Sequence, residues 1–325
     1  MRVIAVWDWK SKGGFKEKKM KFDLGEVLSR MWKIGWNHKV LWLWQMIPGA
    51  SVIFVFPSFF IYYPVFTRLV KDPELQIPIE PWMSISLNSM VFLFMLSYVI
   101  LGIFAQIITV CGLVEIEKGI VKISFGGLFR KSLSYFRRVF GLYFLFGSVW
   151  TLIYLGSVSI LFAVRKVDVD LLVVSSIPIL CIFIPATLVG VSVLELAQAS
   201  VVIDDKSVLS AISHGWKLFK ANALNALMLA IILYFGMNLL FSFFVGPFMF
   251  LVPISLLFLT RLPDPTTIFS IVFFIVAPLV IILPTLLIGI LVTFFQSAWA
   301  VAYMRMNRNL NTPTGSEETL TETGI

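Results

Sequence analysis

Hydrophobic side chains dominate six stretches of the chain, at residues 40–66, 90–114, 139–163, 171–198, 223–245 and 278–303, and each is nearly free of charge. A helix needs about 20 apolar residues to cross roughly 30 Å of hydrocarbon, so the pattern predicts six membrane-crossing helices. The first, third and fifth are preceded, without a linker, by segments of another kind. These are "DLGEVLSRMWKIGWNHKVLWLW" from Asp23, "SFGGLFRKSLSYFRRVFGLYFLF" from Ser124 and "DDKSVLSAISHGWKLFKANALNALMLAIIL" from Asp204. In each, apolar and polar residues recur at spacings of three and four, which is the pattern of a two-faced helix.

The faces can be named. In the third segment Val208, Ile212, Trp216 and Phe219 oppose Ser210, Ser213, Lys217 and Lys220, with Ser207 as the N-cap. The first has a polar face of Glu26, Arg30, Lys33 and Asn37. Its start carries a capping box from Asp23 to Glu26 and a Phe22–Val27 hydrophobic staple. The second sets Phe125, Phe129, Leu133 and Phe136 against Arg130, Lys131, Ser134, Arg137 and Arg138. Such helices lie in the membrane interface, rings toward the acyl chains and cations toward anionic head groups, and turn the chain from lying flat to crossing. The expected head-group contacts are Arg30, Lys33, Arg130, Lys131, Arg137, Arg138, Lys217 and Lys220. A soluble protein partner docking on the same faces is the alternative.

Three lead-ins and six spans imply an internal repeat of one interfacial helix plus a two-span hairpin. "GIFAQIITVCGLVEIEKG" and "GVSVLELAQASVVIDDKS" align without a gap, pairing Gly102 with Gly190, Glu117 with Asp205 and Lys118 with Lys206. The last span's "GILVTFFQSAWAVAYMRM" follows the same outline, and "LSRMWKI" in the first lead-in matches "ISHGWKL" in the third. The fold class is all-α, a polytopic transmembrane bundle of six spans in three repeats. Domain boundaries follow as a basic cytosolic leader at 1–21, one transmembrane domain at 22–305 and a disordered cytosolic tail at 306–325. Within 246–277, Pro263-Asp264-Pro265 forces a turn. Two half-helices in a re-entrant or outer-leaflet hairpin are expected there, with extension of the neighbouring spans as the alternative.

The order of basic leader, amphipathic lead-in, "AQASVVIDDKSVLSAISHGWKLFKAN" and closing "FQSAWAVAYMRM" resembles the prokaryotic six-span proteins related to the membrane domain of glycerophosphoryl diester phosphodiesterases. The resemblance covers most of residues 22–305 and implies the same membrane architecture. In that family the membrane domain can be fused to a soluble phosphodiesterase domain. This sequence has neither that domain nor its acidic and His clusters, so the resemblance does not carry the diesterase activity over.

Composition agrees with the pattern. At 59% apolar and 14% charged, the chain exceeds what a soluble core uses, which is roughly 45–50% apolar with about 25% charged. The net charge of +8 is not spread evenly. Of the 26 Lys and Arg, 21 fall before the first span, between the second and third, between the fourth and fifth or at and beyond the end of the sixth, and only Arg68, Lys71, Arg165, Lys166 and Arg261 fall in the other loops. The positive-inside rule then places both termini in the cytoplasm of a cell-membrane protein, and the charge is not read as a nucleic-acid footprint. The leader's only apolar run, Val3 to Trp7, is too short for a secretory signal.

Candidate chemistry is sparse. Cys111 and Cys181 lie in apolar spans without ligand spacing and are expected to be buried. His38 and His214 sit apart in the lead-ins, and no phosphate loop, nucleophile elbow or paired intramembrane acid is present. No catalytic activity, metal or cofactor is therefore expected. The prolines in and beside the spans, Pro48, Pro178, Pro185 and Pro284 among them, read as kinks. Glu195 is the one acid well inside a span, and Gln106, Gln198 and Gln296 stand near the same end of the second, fourth and sixth spans. If the repeats pack about one axis, these four converge into a polar, ligand-binding cluster. Ordinary helix–helix hydrogen bonding is the competing role. The leading function is a non-enzymatic lipid- or partner-binding membrane protein, and the alternative is a transporter or channel for a small or lipidic solute.

Overall fold

The computed structural model of the chain describes residues 22–54, 81–120, 124–165, 169–244, 246–247 and 277–311. Every regular element among them is helical. The two-faced segment α1 spans Leu24–Asn37, followed by the short α2, Val40–Met46, and a 3-10 stretch over Ile47–Phe54. Then come α3 (Pro81–Glu117), α4 (Phe125–Arg165), α5 (Val169–Ile203), α6 (Val208–Ala221), α7 (Ala223–Phe244) and α8 (Ala277–Asn311). Five of these, all but α1, α2 and α6, contain stretches long and apolar enough to cross a membrane. The chain is a multi-pass membrane protein. The leader, residues 55–80, most of the 246–277 segment and the tail from 312 lie outside the described residues, so the continuation of the first span and the re-entrant hairpin do too.

Local differences from the sequence pattern have simple causes. The first span starts as an α-helix but passes into 3-10 geometry at Ile47, where Pro48 offers no backbone N–H to an α-helical ladder. The second lead-in does not turn. It is continuous with its span as one 41-residue helix, α4, because no residue between Phe125 and Val139 breaks helical propensity beyond a Gly pair in the first turn. By contrast, α1 and α6 are separate helices, ended at His38 and Asn222. The helix α8 runs on past 305 to Asn311. Asp23 caps α1 as expected, its Oδ1 accepting from the Gly25 N–H at 2.8 Å. Glu26 does not close the capping box and instead pairs with Arg305 of α8 at 2.6 Å.

Three long helices, α3, α5 and α8, meet at the end of the bundle that carries the lead-ins, here termed the basic end. Around them, α1 and α2 pack on α8, with α2 and the 3-10 stretch also on α3. The helix α4 packs between α3 and α5, and α6 and α7 pack on α5 with contacts to α8. Among the described residues, the continuous buried core lies at this end, at Ile103–Leu113, Val193–Val202 and Phe294–Met306 of the three helices and facing residues of the others. At the opposite, far end most of the described apolar side chains are exposed, among them Trp82, Ile85, Phe92, Leu152, Ile182 and Phe235, while Met83 is buried. Cys181 belongs to this half and is exposed, not buried as its apolar neighbours suggested, whereas Cys111 is buried in the core.

The lead-ins also do more than rest on a surface. The buried face of α6 is Ala211, Gly215, Leu218 and Phe219, rotated from the face that large residues marked, and Trp216 is left exposed. Gly215 makes the contact possible, since a Cβ there would lie 3.0 Å from the Val193 carbonyl oxygen and from the Ala197 nitrogen of α5. Apolar surface gains nothing by leaving lipid for protein, so close backbone approach through small residues carries much of the association. Replacing Gly215 by Leu forces α6 off α5 and should cost about 1–3 kcal/mol, read as a lower Tm in detergent. Gly236→Leu, at a position with nothing within 4 Å of the added Cβ, should leave the Tm within error.

Candidate functional site

The core of the basic end contains polar groups that hydrocarbon cannot solvate. Gln106 of α3, Gln198 of α5 and Tyr143 of α4 form one chain. The Tyr143 hydroxyl lies 2.5 Å from Gln106 Oε1 and 2.6 Å from Gln198 Oε1. A phenol has one proton, so it can donate to one of these oxygens only. The other amide must be turned to present its NH2 to the phenol oxygen. One turn before Gln198, Glu195 accepts from Gln296 Nε2 of α8 at 3.5 Å. Glu195, Gln198 and Gln296 are all buried. Tyr234 of α7 and Tyr143 are within electrostatic reach of the carboxyl. Nearby, Gln45 of α2 donates to Thr109 of α3 at 2.8 Å, both buried.

The structure brings Gln106 and Gln198 together through Tyr143, and Glu195 together with Gln296, as two pairs that share α5 and not as a symmetric ring. Gln106, Gln198 and Gln296 stand four, eight and seven residues after Gly102, Gly190 and Gly289. A repeat in register would put them at one depth. The side chain that joins the amides of α3 and α5, Tyr143, was not among the candidates. Its only signal was a phenol amid the aliphatic and Phe residues of "GLYFLF".

A second layer of polar contacts rings the basic end. Of the expected head-group cations, Arg30 pairs with Glu117 at 2.8 Å, Lys131 with Glu115 at 3.4 Å and Arg138 with Asp205 at 2.5 Å. Arg138 also donates to the carbonyl oxygens of Asp205 and Lys206, clamping a turn in which Asp205 adopts a left-handed φ of 56°. Lys220 lies over the Trp216 ring, 5.1 Å from its centroid. Lys33, Arg130, Arg137 and Lys217 are exposed, with no acidic partner among the described residues.

Asp204, at the end of α5, gathers Tyr303 at 2.5 Å, Asn307 at 3.2 Å and Lys206 at 3.2 Å. His214 of α6 stands 3.1 Å from Asn307 and 4.0 Å from Asp204. Among the described residues, no group of three or more His, Cys, Asp or Glu is placed to hold a metal ion. The chain matches no family model, and no curated protein or solved structure is similar to it.

Burial, and to a lesser degree the cation of Lys206, pulls the His214 imidazole below its ordinary pKa, while Asn307 and Asp204 pull the other way. A base held below its unfolded pKa binds fewer protons when folded. Its contribution to stability is thus complete above about pH 6.5 and is lost as pH falls through that value toward the folded pKa. The wild-type Tm should accordingly fall between about pH 8 and about pH 5. In His214→Gln, which keeps an amide facing Asn307, the fall should be smaller. A thermal-unfolding series of both proteins across that range checks it.

Proposed function

We propose that the protein is a non-enzymatic membrane protein of three repeats, whose basic end faces the cytoplasm as a collar that binds anionic lipid head groups. The observation that carries this reading is the pairing of unneutralised cations with exposed aromatic or aliphatic side chains on the same outward faces. Lys33 lies beside Trp32 and Trp36 on α1, Arg130 and Arg137 beside Phe129 and Leu133 on α4, and Lys217 and Lys220 beside Trp216 on α6. A soluble surface has little use for exposed indoles next to free cations. At the head-group boundary both find their preferred surroundings.

The repeat gains support from the lead-ins. Ile34 and Leu218, equivalent in the "LSRMWKI" and "ISHGWKL" match, are both buried, and the equivalent Trp32 and Trp216 are both exposed. The orientation rests on the concentration of Lys and Arg at this end.

The test is lipid retention after extraction from mixed anionic and zwitterionic bilayers, quantified by mass spectrometry. Each cation near an anionic surface contributes about 1 kcal/mol. The combined change of Lys33, Arg130, Arg137 and Lys217 to Gln should therefore reduce anionic enrichment by roughly fivefold per site at low salt, and about 1 M salt should do the same to the wild type. Arg138→Gln should instead lower Tm, through loss of the Asp205 clamp, and leave lipid preference unchanged. Equal retention of both lipid types by the wild type would end the proposal.

A further inference from the structure

The surroundings of Glu195 do not account for its charge. The side chain is 5% exposed, and its one hydrogen bond among the described residues, from Gln296, is at the 3.5 Å limit. The other groups facing it are Tyr143 on α4 and Tyr234 on α7, with Gln198 one turn along α5. None carries a positive charge, and no described Lys, Arg or His comes within ion-pair distance. An ionised carboxylate so placed costs several kcal/mol in desolvation, and a single long amide contact does not offset it.

Gln198 supplies a second, independent observation. It is fully buried, and its Nε2 has no hydrogen-bond partner among the described residues. Turning an amide to satisfy the single proton of Tyr143 does not remove the deficit. If Gln198 turns, its oxygen takes the unpartnered place; if Gln106 turns, the Gln198 nitrogen keeps it. Either way one buried amide atom, one turn along α5 from the carboxyl, lacks among the described residues the partner that buried groups almost always have.

A site with one negative charge too many and one unfilled hydrogen-bonding position is a site built for something additional. We propose that Glu195 is the counter-charge of a binding site for one small monovalent cation, a proton or a dehydrated alkali metal ion, at the junction of α3, α5 and α8. The proton form needs only a partner for the new O–H, which an amide oxygen of Gln198 or Gln296 supplies. The metal form uses the same oxygens and the Tyr143 hydroxyl as ligands, since alkali ions are bound by hard oxygen donors. Gln106 is only partly buried, so the chain of amides and phenol extends from the sealed carboxyl toward the bundle surface. The inference uses the polar core alone and is independent of the lipid collar.

The experiment is infrared difference spectroscopy of the intact protein in vesicles, wild type minus Glu195→Gln, at neutral pH. The buffer contains a bulky organic cation, then sodium, then potassium. A protonated-carboxyl carbonyl band that is present in all three buffers and absent from Glu195→Gln assigns the proton. A carboxylate band that shifts by several wavenumbers when sodium or potassium replaces the organic cation, again only with Glu195 present, assigns the metal ion. A carboxylate band indifferent to alkali ions overturns the proposal. Should Glu195→Gln fail to fold, Glu195→Asp serves as the reference, because the same band then moves in frequency and keeps its response.

Discussion

In hydrocarbon the hydrophobic effect does not draw one helix to another, because lipid tails are as apolar as leucine. Helices must be held by close backbone contact, by polar groups that lipid cannot satisfy, or by anchors in the interface. This chain places all three at one end of the bundle. Gly215 brings α6 against the backbone of α5, amides and a phenol join α3, α4 and α5, and Trp44 stacks on Phe125 with centroids 3.9 Å apart. The described residues of the far ends have fewer such devices, and their exposed Phe, Leu and Ile side chains are what a lipid-facing surface consists of.

The ring of ion pairs has an electrostatic logic beyond charge matching. Glu115 and Glu117 end α3, and Asp204 and Asp205 follow α5. Acids there oppose the negative end of the helix macrodipole, which favours cations. Arg30, Lys131 and Arg138 from neighbouring helices offset the acids, and Arg138 also donates to the Asp205 and Lys206 carbonyl oxygens of the turn that follows α5. Partly exposed pairs of this kind each contribute little to stability, typically up to about 1 kcal/mol. Their effect is on register, because each fixes where a lead-in meets the end of a long helix.

Much of this was legible in the sequence, and the misses share a cause. Spans, lead-ins and the Asp23 cap follow from periodicity and residue type. The pairing of Gln106 with Gln198 through Tyr143, and of Gln296 with Glu195, accords with a polar group's need for partners in lipid. Periodicity could not say which part of the α6 surface meets protein, because at the interface large apolar residues can turn to lipid as readily as to protein. The informative residues were the small ones, Ala211 and Gly215, and not the large Val208, Ile212 and Trp216. Exposure of Cys181 has the same origin. The partners of Arg30, Lys131 and Arg138 were hidden because they lie on other helices, up to 87 residues away in the case of Arg30 and Glu117. Tyr143 stayed hidden because a single phenol within an aromatic run has no spacing to mark it.

The uneven distribution of contacts has a mechanical consequence. Among the described residues, α3 buries Met83 near its start and Ile103–Leu113 at the basic end, so the helix between them is a long arm that joins the two ends of the bundle. At 1.5 Å per residue that arm is about 30 Å long, and each degree of tilt at its basic end displaces its other end by about 0.5 Å. Any event at the basic end that reorients the long helices by a few degrees is thus magnified into ångström-scale movement in the opposite leaflet.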